Sequence, residues 1–146
     1  MLLRAGQVKY SHDSRGRGTR RVDLSAPDAP QATEYTWGAR DRLRAGTLPD
    51  GSRVLLSYDA VGRRTRKEVV PGGRATPRVT DYVWDGGVLA RQVDSAEGVR
   101  AFVHTPRTFV PLLQQERGEI FTYVVDHVGT PTELLTSDGL LAWSAA

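Results

Sequence analysis

The 146 residues include no cysteine, so disulfide staples and thiol chemistry are excluded and the sequence carries no mark of redox compartment. No apolar run approaches the roughly 18 residues that a membrane-crossing helix needs. The start, Met1-Leu2-Leu3-Arg4-Ala5-Gly6, is too short and too soon polar for a secretory signal. Lysine is scarce. The 20 basic residues are almost all arginine, scattered beside Asp and Glu rather than gathered in a stripe or tail. That distribution describes a solvated, ion-paired surface and argues against a nucleic-acid partner, despite a formal charge of +3. Outside Arg4–Arg20, no window is free enough of Gly, Pro and β-branched residues to argue for a stable helix.

Punctuation is what the chain has in plenty. Glycine (15) and proline (8) mark frequent chain reversals, and a hydrophobic fraction of 39% is lean but sufficient for one domain of this length. The stretch Leu48–Arg66 shows the pattern most clearly. Pro49-Asp50-Gly51 is a turn, Val54, Leu56 and Tyr58 alternate along a strand, and Asp59-Ala60-Val61-Gly62 turns the chain into Arg63. The unit recurs. Pairs of bulky groups two positions apart, which share one face of a strand, fall at Tyr10/His12, Tyr35/Trp37, Leu56/Tyr58, Tyr82/Trp84, Phe102/His104 and Tyr123/Val125. A turn glycine repeats with the same period, at Gly51, Gly73, Gly98, Gly118 and Gly139.

Each period therefore reads as a β-hairpin plus a connecting turn. An Asp caps the turn through amides two residues on, a later Gly takes the left-handed conformation, and a following Arg projects from the return strand. The β-branched and aromatic segments Gln31–Trp37, Arg78–Trp84 and Ile120–Val125 are strands, the last expected to be the most buried. Asp138-Gly139 between two apolar runs predicts a final hairpin. Leu24–Pro30 and Val70–Pro77 read as longer loops. The expected fold is all-β: a curved strip of antiparallel β-hairpins, open at both ends, forming one repeat region over residues 1–146 with about six units and no linker.

No catalytic, cofactor or metal site is expected. Asp126-His127 could suggest an acid/base pair or a metal ligand, but adjacent residues of a strand or turn point apart and no further ligand lies at metal spacing, so the reading is a turn-capping Asp with a packed His. His12-Asp13 and His104 occupy repeat positions and are read the same way. No Gly-x-Ser-x-Gly or phosphate loop is present. Glu116 and Glu119 are read as solubilising a turn. The ring pairs, Trp37 and Trp84 among them, are read as cross-strand packing, with a sugar-stacking surface as the alternative.

With these residues in place, the chain resembles the RHS (rearrangement hotspot) or YD-repeat family. Tyr58-Asp59-x-x-Gly62-Arg63 is similar to the YD repeat itself. Asp126-His127-x-Gly129-Thr130-Pro131-x-Glu133-Leu134, continuing to Trp143, resembles the C-terminal segment of the RHS core, here residues 120–146. The resemblance implies a segment of an RHS-type shell: antiparallel strands wound around a C-terminal toxin, in bacterial polymorphic toxins exported by contact-dependent or type VI routes, or in insecticidal toxin complexes. The implied partners are further YD repeats and the enclosed toxin domain, with surface glycans as the alternative. The sequence ends at a strand, before the aspartate-bearing autoproteolysis segment and the toxin domain of full-length members, which suggests a truncated or displaced fragment. The resemblance makes Tyr58, Asp59, Gly62, Arg63, Trp37, Trp84, Asp126, His127, Gly129 and Pro131 structural repeat residues.

Overall fold

The computed structural model describes residues 2–26, 28–73 and 75–145. Among them are fourteen β-strands and no helix. The region Arg4–Arg20, where the sequence left a helix open, is also strand and turn. The chain divides into two compact units, Met1–Val79 and Thr80–Ala146.

The first unit holds β1 (Leu2–Ala5), β2 (Val8–His12), β3 (Gly18–Asp23), β4 (Gln31–Trp37), β5 (Leu43–Thr47), β6 (Arg53–Tyr58) and β7 (Arg64–Val70). Each strand pairs antiparallel with its successor. The second unit holds β8 (Arg78–Asp85), β9 (Val88–Asp94), β10 (Gly98–His104), β11 (Pro111–Glu116), β12 (Glu119–Val125), β13 (Pro131–Thr136) and β14 (Leu141–Ser144), again paired in chain order. The Asp138-Gly139 hairpin forms as expected: Thr136 N–H donates to Leu140 C=O, and Gly139 N–H donates to Thr136 C=O.

An array one layer thick has no second sheet to pack against, and its burial shows this. Leu56 is the one apolar side chain in the buried class among the described residues, at 7% exposure. β12 is not the most buried strand: Ile120 is half exposed and Thr122 is exposed, whereas every residue of β13 is partly shielded. Apolar composition does not secure burial where one face of a strand has no neighbouring layer.

The register places the ring pairs on one face of each unit. In the first unit, Tyr10 opposes Arg21, Arg21 opposes Thr33, and Tyr35 opposes Gly46, which opposes Val54 beside Leu56. The other face is charged, with Arg20, Glu34, Arg53 and Arg66. The second unit differs. Its ring face holds a polar chain beside the aromatics: the Tyr123 hydroxyl donates to Gln114 Oε1 at 2.6 Å, Gln114 Nε2 donates to Glu116 Oε2 at 3.1 Å, and Arg100 clasps Glu116 at 2.8 Å. Its other face mixes exposed apolar side chains with polar and charged ones. Asp81 opposes Val93, Val93 opposes Val99, Val103 opposes Leu113, and Gln115 opposes Ile120, which puts Val83, Val93, Val99, Val103 and Ile120 on that face, interleaved with Asp81, Arg91 and Gln115. All five are exposed.

A feature the sequence did not announce recurs in six hairpins. The register slips at the second member of each ring pair: Ser11/His12, Thr36/Trp37 and Ser57/Tyr58 in the first unit, and Val83/Trp84, Val103/His104 and Val124/Val125 in the second. The extra residue of each bulge lies on the return strand, at Thr19, Arg44, Thr65, Ala90, Leu112 and Thr132. A bulge bends its strand and increases local twist, so the bend is built into the repeat. At two of these sites, the threonine hydroxyl (Thr19, Thr132) donates to the carbonyl of Ser11 or Val124 across the bulge, at 3.2 Å in both cases.

Candidate functional site

Six hairpins close with one backbone geometry. The first residue of the turn accepts from the amide of the fourth, and its own N–H donates to the carbonyl of the fifth. The first residues are Asp13, Gly38, Leu48, Asp59, Asp126 and Thr136. The fourth has positive φ every time: Gly16, Asp41, Gly51, Gly62, Gly129 and Gly139. This is a type I turn followed by a left-handed residue, a geometry that suits the twist of a hairpin. The Tyr-Asp turns and the Pro-Asp-Gly and Asp-Gly turns, which look like separate markers in the sequence, are therefore one structure.

Asp in the first position adds a side-chain clasp. Asp59 Oδ1 accepts from the amides of Val61 (3.1 Å) and Arg63 (2.9 Å), and its Oδ2 accepts from Arg63 Nε at 2.7 Å. Asp13 does the same with Arg15, Arg17 and Arg17 Nε, at 2.9, 3.0 and 2.7 Å. Asp126 takes the amides of Val128 and Thr130, but the fifth residue is Thr130, so no guanidinium closes the loop. In these two Asp-Arg turns, the arginine expected to project from the return strand folds back onto its own aspartate.

Successive turns of the first unit also bind one another. Arg17 reaches from its own turn to Asp41 Oδ1 (2.8 Å), Arg15 reaches Asp41 Oδ2 (2.6 Å), and Arg40 donates to Ala60 C=O at 2.6 Å. Trp37 is fixed beneath this row: its Nε1 donates to Gly18 C=O at 2.7 Å and Arg17 lies 5.9 Å from the ring centre. One edge of the ring is thus held by a hydrogen bond and the guanidinium lies within cation–π range of the ring. Between the turns at 38–42 and 59–63 lies an open cleft of about 350 Å³ lined by Arg40, Arg42, Arg44, Tyr58 and Asp59.

The other residues singled out by sequence fall into place one by one. Tyr58 and Trp84 are half-buried members of their strands. Gly129 has φ 89° and its Cα lies against Val110. Pro131 opens β13 opposite Val125 at the bulge. His127 departs from expectation: it is exposed on its turn rather than packed, because the second position of this turn points away from the sheet. Glu116 departs as well. It is a ring-face residue bound by Arg100, which holds its carboxyl below the usual range, whereas Glu119 is exposed. Among the described residues no cluster of His, Cys, Asp and Glu could hold a metal, and no helix is long and apolar enough to cross a membrane.

The clasps make the first unit sensitive to acid. The Arg17 side chain, outweighing partial desolvation, holds the Asp13 carboxyl below its ordinary value. Desolvation raises Asp59, but the Arg63 guanidinium and the turn amides together pull it lower still. A carboxyl depressed by folding contributes stability above its unfolded pKa and loses it as pH falls through the folded value. The thermal midpoint should therefore begin to fall below about pH 4. In melts followed by circular dichroism, Asp59→Asn should have a shallower acid limb than the parent; an unchanged slope would remove Asp59 from this account.

These turns and strands define a class: an antiparallel repeat protein whose hairpins recur with one turn geometry, in two of them clasped by Asp and Arg. The RHS Repeat family pattern matches residues 37–75. Over 153 aligned positions the chain is 30% identical to the probable deoxyribonuclease RhsA of Dickeya dadantii (strain 3937), covering 99% of this chain and 10% of that protein. It is also 30% identical over 149 positions to the probable deoxyribonuclease RhsB of the same organism, again spanning 10% of its length. The chain carries an RHS repeat at residues 37–75 and is similar along nearly its whole length to these two Rhs proteins, of whose length it spans about a tenth. Among solved structures, a chain of the TcdB2-TccC3-Cdc42 complex superposes with a TM-score of 0.67 at 16% identity, covering 88% of this chain and 8% of that one. A chain of the Photorhabdus luminescens Tc holotoxin pore gives 0.65 at 15% identity, covering 89% and 7%. At such identity the likeness shows the fold.

Proposed function

We propose that this chain is a length of wall in an RHS-type shell, and that it encloses or presents a toxic effector carried by the same bacterial system. The observation that carries this reading is a set of exposed apolar side chains on one face of the second unit. Val83, Val93, Val99, Val103 and Ile120 stand exposed on the same face of a strand array one layer thick. Large apolar side chains gathered on one exposed face favour a contact with another polypeptide. In a shell that contact is the enclosed chain, while the turn clasps hold the wall in shape.

On this reading the repeat runs through all 146 residues, beyond the matched stretch 37–75. Tyr58, Asp59, Gly62, Arg63, Trp37, Trp84, Asp126, His127, Gly129 and Pro131 are scaffold. The wall does no chemistry; the deoxyribonuclease in the relatives' names belongs to those proteins, of which the chain matches a tenth. Export from the bacterium by a specialised route goes with the role.

The test is the behaviour of the purified chain. Light scattering should show concentration-dependent association, and Val83→Glu with Val103→Glu, on the exposed face and outside every clasp, should suppress it with the circular dichroism unchanged. A folded monomer whose scattering is the same with and without the two glutamates would overturn the reading.

A further inference from the structure

The three stacked turns of the first unit can be compared position by position. The first residues are Asp13, Gly38 and Asp59; the third are Arg15, Arg40 and Val61; the fourth are Gly16, Asp41 and Gly62; the fifth are Arg17, Arg42 and Arg63. In the first turn, the third and fifth arginines converge on the carboxylate of Asp41, the fourth residue of the next turn, at 2.6 and 2.8 Å. In the second turn, the equivalent arginines are Arg40 and Arg42, and the next turn offers them Gly62 in place of an aspartate.

The substitution leaves Arg42 short of an anion twice over. Its own turn begins with Gly38, so the clasp that Asp13 gives Arg17 and Asp59 gives Arg63 is missing. The neighbouring turn has no carboxylate at the matching position, and the Arg42 guanidinium lies directly over Gly62, where a Cβ would collide with it. Arg40 settles on the Ala60 carbonyl. The Arg42 and Arg44 side chains make no hydrogen bond or ion pair among the described residues, and both line the cleft between the turns. The Asp59 carboxylate in the same lining is already held by Arg63.

We propose that this cleft is a carboxylate-binding site, in which a ligand carboxylate takes the part that Asp41 plays one turn earlier, held by Arg42 with Arg40 and Arg44 beside it. Paired, planar guanidinium donors match a carboxylate in geometry and charge. The carboxylate could belong to a small acid or to an acidic side chain of a polypeptide. The inference does not depend on the shell reading, because it rests on the turns of the first unit alone.

The experiment is a titration of the full chain with sodium succinate, a hexaglutamate peptide and inorganic phosphate at constant ionic strength, following the Arg42 Nε–H resonance by NMR. Succinate and hexaglutamate should both shift it saturably. Because Arg42→Gln removes the reporter, binding to that variant is read by calorimetry and should be lost, while Arg20→Gln, on the charged face away from the cleft, should bind as the parent does. Peptide affinity at least about tenfold above succinate would make the occupant a polypeptide, and similar affinities a small acid. Gly62→Asp supplies the carboxylate from the chain itself, and should weaken succinate binding at least about tenfold in a protein whose circular dichroism is unchanged. Saturation by phosphate alone, no saturation by any probe, or undiminished binding to Arg42→Gln would overturn the proposal.

Discussion

Replacing Leu56 with alanine is expected to cost about 2–3 kcal/mol, the lower part of the range for large-to-small changes at buried aliphatic positions. Leu56 sits mid-strand in β6 on the ring face, between Val54 and Tyr58, with Lys67 opposite on β7 and the buried Gly46 next to Val54 on β5. At 7% exposure it is shielded far better than the apolar residues around it. The lower part of the range applies because no second sheet faces the site, so water reaches part of the space the alanine leaves. Urea titration of the two proteins measures the difference. Val61→Ala, on a turn tip that is 73% exposed, should stay within about 0.5 kcal/mol of the parent. Equal midpoints for Leu56→Ala and Val61→Ala would show that the unit is held by its strand ladders and clasps without a packing centre.

Asp94→Ala should be as damaging for the second unit, by about 2–3 kcal/mol, through unmet hydrogen bonds rather than lost packing. The Asp94 carboxylate is 5% exposed. It accepts from the Thr80 hydroxyl at 2.6 Å and from the amides of Ala96 and Glu97 at 2.9 and 3.2 Å, so it ties β8 to the turn between β9 and β10. Alanine leaves three donors without this acceptor, one of them the buried Thr80. Asp94→Asn keeps one acceptor oxygen and should recover part of the loss. If asparagine and alanine destabilise equally, the negative charge matters more than the acceptor geometry. A double variant with Thr80→Val tests the coupling: the Asp94→Ala penalty should shrink once the hydroxyl is gone.

How much of these units can be read from the sequence depends on distance along the chain. Asp59, Gly62 and Arg63 are legible because their partners lie within five residues, where residue type dictates turn geometry almost alone. The Asp13 turn is legible for the same reason, but its arginine, like Arg63, is expected to project from the return strand and instead folds back onto its own aspartate. Glu116 was misread as a solubilising charge because Arg100, the partner that fixes it on the ring face, is on the neighbouring strand and can be found only through the register. The bulges at Thr19, Thr65 and Thr132 are hidden likewise, since a residue is extra only by comparison with the strand opposite. Ile120 and His127 were misjudged from the assumption of a solid interior, which a one-layer array does not have. The carboxylate at Asp41 shows a middle case: its turn position can be read, but its two arginine partners belong to a turn more than twenty residues earlier.

Within each unit, every strand finds its partners in the strand before or after it in the chain. No segment must wait for a distant one. Loop closure of such hairpins takes microseconds, and each closed hairpin offers an edge on which the next can form. A chain of this kind can assemble in the direction of its own synthesis, one hairpin at a time, without holding unsatisfied strands in solution. The same economy governs its history: a hairpin can be duplicated or deleted without severing a long-range contact, so that length is the property of the fold most free to change.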